Sequence, residues 1–279
     1  MSPTRNQLRF TSLIRPLISD FNFATVELFD RLRRSRSMVP PRALQFVGNG
    51  DFVKIGQEFR QHLIDLAALR PHNKILDVGC GLGRLAVALT DYLAPSGQYL
   101  GLEVVPNAVR WCQSRISPLH PNFEFEHSDV ANSYYNPKGR CLASAYRFPV
   151  HEGSVDVAAY ISVLTHMVPD GMEHYLTETV RTLKPGGRLF ATFFVLDQRS
   201  RTLIAGGRSH LRFDHEAATH AYMNPRAPEH AVAYDIDHIK SILLRAGLDP
   251  SIGYHPGSWS GRADYLSFQD VIVATKPLA

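Results

Sequence analysis

Apolar residues recur at two different spacings along the chain, and the change between them divides the sequence into segments. From Val53 to Leu69 they recur at roughly helical intervals, and Pro71 ends that run. After residue 73, short apolar runs typical of buried strands alternate with amphipathic runs typical of helices. This alternation indicates βαβ units, and therefore an α/β fold built on a mostly parallel sheet.

The boundaries of these elements follow from the same pattern. The predicted strands are 74–78, 98–103, 123–127, 155–163, 188–195 and 267–275, and the predicted helices among them are 82–93, 107–116, 171–183 and 236–246. We assign residues 1–65 to a helical N-terminal extension that serves as a lid, and residues 66–279 to the main domain.

Two segments interrupt the alternation of strands and helices. Residues 131–150 stand where a short connection is expected, and residues 198–234 carry four histidines and two prolines. Loops of this length in a compact domain are usually functional lids or are disordered. We therefore predict that residues 198–234 form an inserted lid loop.

Composition and charge narrow the function classes. The 279 residues are 44% hydrophobic and 20% charged, which is typical of a globular protein, and no run is long and apolar enough for a membrane-spanning helix. Three irregularly spaced cysteines fit neither a disulfide framework nor a zinc site, which favours a reducing, cytoplasmic location. The net charge of +4 arises in residues 1–37, where seven arginines oppose three acids, and we interpret this segment as an amphipathic helix.

A glycine-rich turn follows the first predicted strand and opens a helix, at 77–83 (Asp-Val-Gly-Cys-Gly-Leu-Gly). This is where a doubly wound sheet binds its ligand. A dinucleotide fingerprint requires a third glycine where this chain has Arg84, and the carboxylate of Asp77 would repel a pyrophosphate. A ligand that carries cationic groups suits the turn better.

Two further carboxylates follow the next two strands. Glu103 ends the second strand, where an acid can accept hydrogen bonds from ribose hydroxyls. Asp129 lies just past the third strand, where it could bind the exocyclic amine of adenine, and the backbone amide of Val130 could bind a ring nitrogen. Three carboxylates at three successive strand ends predict one nucleoside-binding site.

With these residues, the sequence resembles the class I S-adenosylmethionine-dependent methyltransferases, in particular the group that acts on small molecules. The resemblance runs over about residues 65–197 and includes 74–84, Ser128-Asp129-Val130, 148–149 with 153–156, and 183–188. It implies a Rossmann-like, doubly wound sheet of seven strands and S-adenosylmethionine as the cofactor. The cofactor-binding residues expected from the turn, the strand ends and the resemblance are Asp77, Gly79, Cys80, Gly81, Glu103, Val104, Asp129, Val130 and Ser162.

The expected reaction is an in-line transfer of the methyl group to a hydroxyl or an amine of a small-molecule acceptor. A hydroxyl acceptor must lose its proton, and His166, just past the fourth strand, is the candidate general base. Neither the histidine spacing nor the acids of 198–234 predict a metal site. The residues after the fourth strand also lack the element typical of nucleic-acid amine methylation, which argues against a nucleic-acid partner.

Two other functions fit a glycine turn of this kind. One is an NAD(P)-dependent Rossmann oxidoreductase, and the other is a cofactor-binding partner protein without catalysis. The sequence does not predict an oligomeric state.

Overall fold

The computed structural model describes residues 25, 37–45, 50–249, 251 and 253–278. The predicted amphipathic helix of the arginine-rich segment falls in residues 1–37, and it lies almost entirely outside the described residues. Within the described part of the chain, no helix combines the length and the apolar character that crossing a membrane requires.

A seven-stranded sheet forms the centre of the fold. Its five parallel strands are β1 (Lys74–Val78), β2 (Gln98–Glu103), β3 (Phe123–His127), β4 (Val155–Tyr160) and β5 (Leu183–Phe193). The two antiparallel strands at one edge are β10 (Gly253–His255) and β11 (Asp270–Thr275). The order β10-β11-β5-β4-β1-β2-β3 confirms the predicted α/β, mostly parallel, Rossmann-like sheet.

Helices cover both faces of this sheet. They are α1 (Phe52–Leu66), α2 (Arg84–Leu89), α3 (Pro106–Arg115), α4 (Pro169–Thr182) and α6 (Ile236–Ala246), while α5 (Gln198–Ala205) packs beside a smaller sheet. Ile75 of β1 packs into a core with α1, α2 and α3, whereas its neighbour Leu76 packs into a second core with α4 and α6. Successive residues of a strand point to opposite faces, so a central strand must be apolar throughout.

Residues 195–235 form a second, smaller sheet. Its strands are β6 (Val195–Leu196), β7 (His215–Glu216), β8 (His220–Tyr222) and β9 (Val232–Asp235), in the order β6-β9-β8-β7. A separate apolar cluster supports it, in which Trp259 is fully buried against Phe194 and Phe213. The segment predicted as a lid loop is therefore partly helix and sheet, because a residue more than twenty positions downstream completes its core.

Several boundaries differ from the predicted ones for local reasons. Gly79, Gly81 and Gly83 all adopt positive φ angles of 77°, 56° and 79°, which delays the start of α2 until Arg84. β4 ends at Tyr160 and not at residue 163, because Ser162 has a left-handed φ of 60°. The three-residue strand β10 carries too short a pattern to predict from sequence.

Helix α1 packs closely on α2, and one glycine makes this approach possible. A Cβ atom at Gly56 would lie 2.6 Å from the carbonyl oxygen of Arg84. In an open helix, glycine to alanine adds about 1 kcal/mol of stability. We expect the opposite for Gly56→Ala, a loss of about 1–3 kcal/mol in urea unfolding, because the helices must separate. Gln57→Ala, on the exposed side of α1, is the control. A variant as stable as the wild type would contradict the close packing.

Candidate active site

Two adjoining cavities open at the carboxyl ends of the central strands. Between β1 and its two neighbours, β2 and β4, the strand order reverses, and this is where open α/β sheets bind their ligands. The larger cavity has a volume of about 900 Å³ including its open mouth, and the smaller has about 600 Å³. Both are lined by Gly79, Gly81, Ile161 and Ser162, so the glycine turn separates them.

The glycine turn is fixed to the end of β2 by its backbone. The amides of Gly79 and Cys80 donate to the carbonyl of Leu102 at 2.7 and 3.0 Å. A Cβ atom at Gly79 would lie 2.4 Å from a methyl group of Val163, so the turn also lies close to the end of β4. The predicted cofactor turn therefore lies between the two strand ends where a ligand would bind.

Glu103 lies between the turn and the larger cavity. Its side chain is buried and accepts hydrogen bonds from the backbone amides of Gly81 and Val105, both at 2.8 Å. Burial raises the pKa of Glu103, and the backbone amides partly counter that rise. The amide of Val104 also contributes, yet a carboxylate can accept about four hydrogen bonds, so part of its acceptor capacity stays open where Glu103 lines the larger cavity.

Asp77 is buried at the other side of the turn and lines the smaller cavity. It accepts a hydrogen bond of 2.5 Å from the hydroxyl of Tyr99. Burial raises the pKa of Asp77 to about 7, the bond from Tyr99 opposes this rise, and the negative charge of Glu103 adds to it. The carboxyl group is thus poised to ionise when a cationic ligand group approaches.

This pKa predicts how stability depends on pH. The pKa of Asp77 is higher in the folded than in the unfolded protein, so its contribution to stability is fully present below about pH 4 and is lost as the pH rises through about 7. Asp77→Asn keeps a neutral acceptor for Tyr99 at every pH. Without ligand, we expect the Tm of the variant relative to that of the wild type to rise by about 5 °C or more when the pH is raised from 5 to 8.

The control for this measurement is Asp65→Asn, on the exposed side of α1, which should follow the wild-type curve. If Asp77→Asn and the wild type gave parallel Tm curves over this range, the carboxyl of Asp77 would not be ionising near neutral pH.

Only one residue of the predicted adenine-binding pair, Asp129 and Val130, lines a cavity. Val130 is buried and lines the larger cavity together with Val104. Asp129 is not among the residues that line either cavity, and its side chain forms a 2.5 Å ion pair with Arg140. Its role toward adenine remains a prediction, and it requires the carboxylate to share or exchange the bond to Arg140.

Ser162 and Cys80 line the cavities, but their side chains have other contacts. The hydroxyl of Ser162 donates to Gln269 at 2.9 Å, and its backbone amide donates to Thr192 at 2.7 Å. Cys80 is buried beside the smaller cavity. For both residues, cofactor contact through the side chain remains a prediction, and the unusual φ of Ser162 indicates a mainly backbone role.

His166 lies at the wall of the larger cavity, as expected for a residue past the fourth strand. Its Nδ1 lies 3.1 Å from the backbone carbonyl oxygen of Glu229. A carbonyl oxygen only accepts, so Nδ1 carries the proton and Nε2 keeps its lone pair. Burial lowers the pKa of His166, while the hydrogen bond to the carbonyl of Glu229, a backbone bond to His230 and the charge of Glu229 raise it. A neutral histidine with a free Nε2 lone pair is suited to accept a proton.

Several residues that shape the site were not predicted from the sequence as site residues. Arg84 and Gln45 line the smaller cavity. The larger cavity is lined by four aromatic side chains and by a residue of the second insertion, namely Tyr135, Tyr146, Phe148, Tyr175 and Glu229. The density of aromatic residues in 134–148 was the sequence signal that could have indicated Tyr135, Tyr146 and Phe148. Among the described residues, no group of three or more potential ligands is arranged to hold a metal ion.

Comparison with known families is decisive for the class of protein. The sequence model of a family described as "Methyltransferase domain" matches residues 76–191, from β1 to β5. The chain contains a class I S-adenosylmethionine-dependent methyltransferase domain. The cofactor of this methyltransferase is S-adenosylmethionine, and the comparisons lend no support to the NAD(P)-dependent or the non-catalytic alternative.

Relatives of the methyltransferase cover different shares of its length. It is 22% identical over 267 residues to the ubiquinone/menaquinone biosynthesis C-methyltransferase UbiE of Hydrogenovibrio crunogenus, with 91% of this chain and 92% of the relative covered. It is 29% identical over 133 residues to an uncharacterised 37.1 kDa protein in transposon TN4556 of Streptomyces fradiae, where it spans 48% of this chain and only 33% of the relative.

A solved structure supports the fold. Human N-acetylserotonin methyltransferase in complex with S-adenosylmethionine superposes with a TM-score of 0.52 at 20% identity, over 90% of this chain and 59% of that chain.

Proposed function

We propose that this methyltransferase transfers the methyl group of S-adenosylmethionine to a hydroxyl or an amine of a small, mainly apolar acceptor, with His166 as the general base. The observation that carries the proposal is the bond between His166 Nδ1 and the carbonyl of Glu229, which leaves Nε2 as a proton acceptor at the wall of the larger cavity.

The two cavities support a placement of the cofactor across the glycine turn. The methionine end would occupy the smaller cavity, where Asp77 suits its ammonium group and Arg84 suits its carboxylate. The ribose would bind at Glu103, between the two cavities. The adenine would enter the larger cavity beside Val104 and Val130. This placement directs the sulfonium methyl group toward the remaining space of the larger cavity.

The lining of the larger cavity restricts the acceptor. Tyr135, Tyr146, Phe148 and Tyr175 contribute aromatic surface. Among the described residues that line this cavity, none is a lysine or an arginine, whereas Glu103 and Glu229 are acidic. An acceptor that carries a carboxylate or a phosphate would enter without a counter-charge, which is costly in a partly buried site. We therefore expect a neutral or cationic acceptor with a flat apolar body.

The chemistry requires one proton transfer and one displacement. As the acceptor oxygen or nitrogen forms a bond to the methyl carbon, the carbon–sulfur bond breaks and S-adenosylhomocysteine leaves. The proton of the acceptor passes to Nε2 of His166. Holding the acceptor in line with the sulfonium can supply about 7–11 kcal/mol of barrier lowering, and a positioned base adds about 10²–10⁴-fold.

Carbon methylation is a second candidate, because the relative of which 92% is covered is named as a C-methyltransferase. An electron-rich phenol ring is methylated on carbon once its hydroxyl has lost its proton. The same base and the same aromatic cavity would serve that reaction, in which S-adenosylhomocysteine leaves as the ring carbon is methylated and the proton on that carbon is then lost to restore the aromatic ring. The two candidates therefore differ in the acceptor atom that faces the methyl group and in this second proton loss.

A panel of paired acceptors tests the proposal. Neutral phenols, naphthols and arylamines, each with a carboxylated counterpart, are incubated with methyl-labelled S-adenosylmethionine, and NMR of the products identifies the methylated atom. We expect label in the neutral members, at least about tenfold less in the carboxylated ones, and none in bulk tRNA. Equal transfer to neutral and anionic members would contradict the predicted acceptor class.

A further inference from the structure

The two inserted segments meet at the wall of the larger cavity. Ser133 belongs to the first segment and Glu229 to the second. The Glu229 carboxylate accepts a hydrogen bond of 2.6 Å from the Ser133 backbone amide and another from the Ser133 hydroxyl. The rings of Tyr134 and His230 lie 5.5 Å apart across the same junction. These contacts join segments that are 96 residues apart.

Glu229 also reaches the candidate base through its backbone. It lies in the short helical turn Pro228–His230, and its carbonyl oxygen is the partner of His166 Nδ1 at 3.1 Å. The ring of Tyr135, from the first segment, packs edge-on against His166 with centroids 5.4 Å apart. The side chain of Glu229 thus holds the first segment while its carbonyl holds the imidazole.

We propose that Glu229 is a positioning residue for His166: its carboxylate, bound by Ser133, fixes its carbonyl where it keeps the imidazole proton on Nδ1. This inference rests on the proposed function of His166. A neutral imidazole without a partner distributes its proton over both nitrogens, whereas an acceptor at Nδ1 keeps the proton there. The lone pair of Nε2 is therefore available to the acceptor when the two segments are joined over the cavity.

The carboxylate of Glu229 is hydrogen-bonded to Ser133, but its charge also raises the pKa of His166, so variants that separate the charge from the hydrogen bond are informative. Glu229→Gln retains a side-chain oxygen that can accept from both donors of Ser133. Glu229→Ala removes that acceptor but leaves the backbone carbonyl in the chain. Ser133→Ala removes one of the two donors and is the mildest change. Glu216→Ala, in the same inserted segment, removes an ion pair to Arg201 and is the matched control.

Nitrogen NMR of the full chain, labelled with ¹⁵N-histidine and saturated with S-adenosylhomocysteine, reports which nitrogen of His166 carries the proton. This measurement needs no methyl acceptor. The signals of His166 are those missing from His166→Gln. We expect Nδ1 to be protonated and Nε2 unprotonated in the wild type, in Glu229→Gln and in Glu216→Ala. We expect Glu229→Ala to shift both signals toward an averaged position, and Ser133→Ala to shift them in the same direction by less.

An unchanged His166 pattern in Glu229→Ala would overturn the inference, as would an equal shift in Glu216→Ala. If Glu229→Ala fails to fold, Ser133→Ala decides, and wild-type signals in that variant overturn the inference. Failure of the proposed function has a different signature. In that case His166→Gln keeps its turnover, even though Glu229→Ala still moves the imidazole proton.

Discussion

His166→Gln is expected to lose about 10²–10⁴-fold in turnover with an acceptor found in the panel, while it binds S-adenosylhomocysteine as the wild type does. Glutamine can still donate to the carbonyl of Glu229, so the wall of the cavity keeps its shape. Glutamine cannot take up a proton at neutral pH. The loss should therefore appear in kcat and leave cofactor affinity unchanged.

The pH profile of the same variant separates a base from a packing residue. Burial lowers the pKa of His166 below the usual histidine value. The neutral form, which acts as the base, therefore predominates down to a lower pH than it does in an exposed histidine. The acid limb of the wild-type kcat profile should lie there and should be absent from His166→Gln. His151→Gln, at an exposed position, is the control and should retain the limb. A drop in kcat of tenfold or less with an unchanged pH profile would contradict the role of His166 as the base. It would not affect the assignment of the methyltransferase domain.

The parts of the fold that could be predicted depend on residues close in sequence. Lys74–Val78 is a run of mainly apolar residues because both faces of β1 are buried, and the glycine turn follows it directly. Glu103 ends β2, so its place beside the turn follows from the parallel order of the strands. Local patterns and the geometry of a parallel sheet were sufficient for these elements.

The parts that could not be predicted depend on residues far apart in sequence. The buried carboxylate of Asp270 accepts hydrogen bonds from the backbone of Val195 and Gly257 and from the indole of Trp259, which joins the smaller sheet to the larger one. No pattern within residues 198–234 shows this contact. Strands of two or three residues also carry too little alternation to be recognised.

Side-chain direction at the site has the same limitation. The strand-end position of Asp129 was visible in the sequence, but its orientation depends on Arg140, which belongs to an insertion. The direction of the Ser162 hydroxyl depends on Gln269, which lies 107 residues further along the chain. The sequence therefore placed residues at the edge of the sheet where the cavities open, but it could not decide which of their side chains face the cavities.

Glu103→Ala is expected to weaken S-adenosylhomocysteine binding by at least about tenfold, because hydrogen bonds from ribose hydroxyls to a carboxylate contribute about 1.5–3 kcal/mol each. The change in folding stability is a poorer measure, since two effects oppose each other. The amides of Gly81 and Val105 lose their acceptor, which destabilises the turn. Burial raises the pKa of Glu103, so removing the carboxylate also relieves the cost of a buried charge at neutral pH.

Calorimetry with two ligands shows whether Glu103 binds the ribose. Methylthioadenosine has the ribose and adenine of S-adenosylhomocysteine but lacks its amino-acid end. Glu103→Ala should weaken both ligands by the same factor, because the ribose is common to them. Arg84→Met, in the smaller cavity, should weaken S-adenosylhomocysteine alone. If folded Glu103→Ala binds methylthioadenosine as the wild type does, the carboxylate anchors the glycine turn and does not bind the ribose.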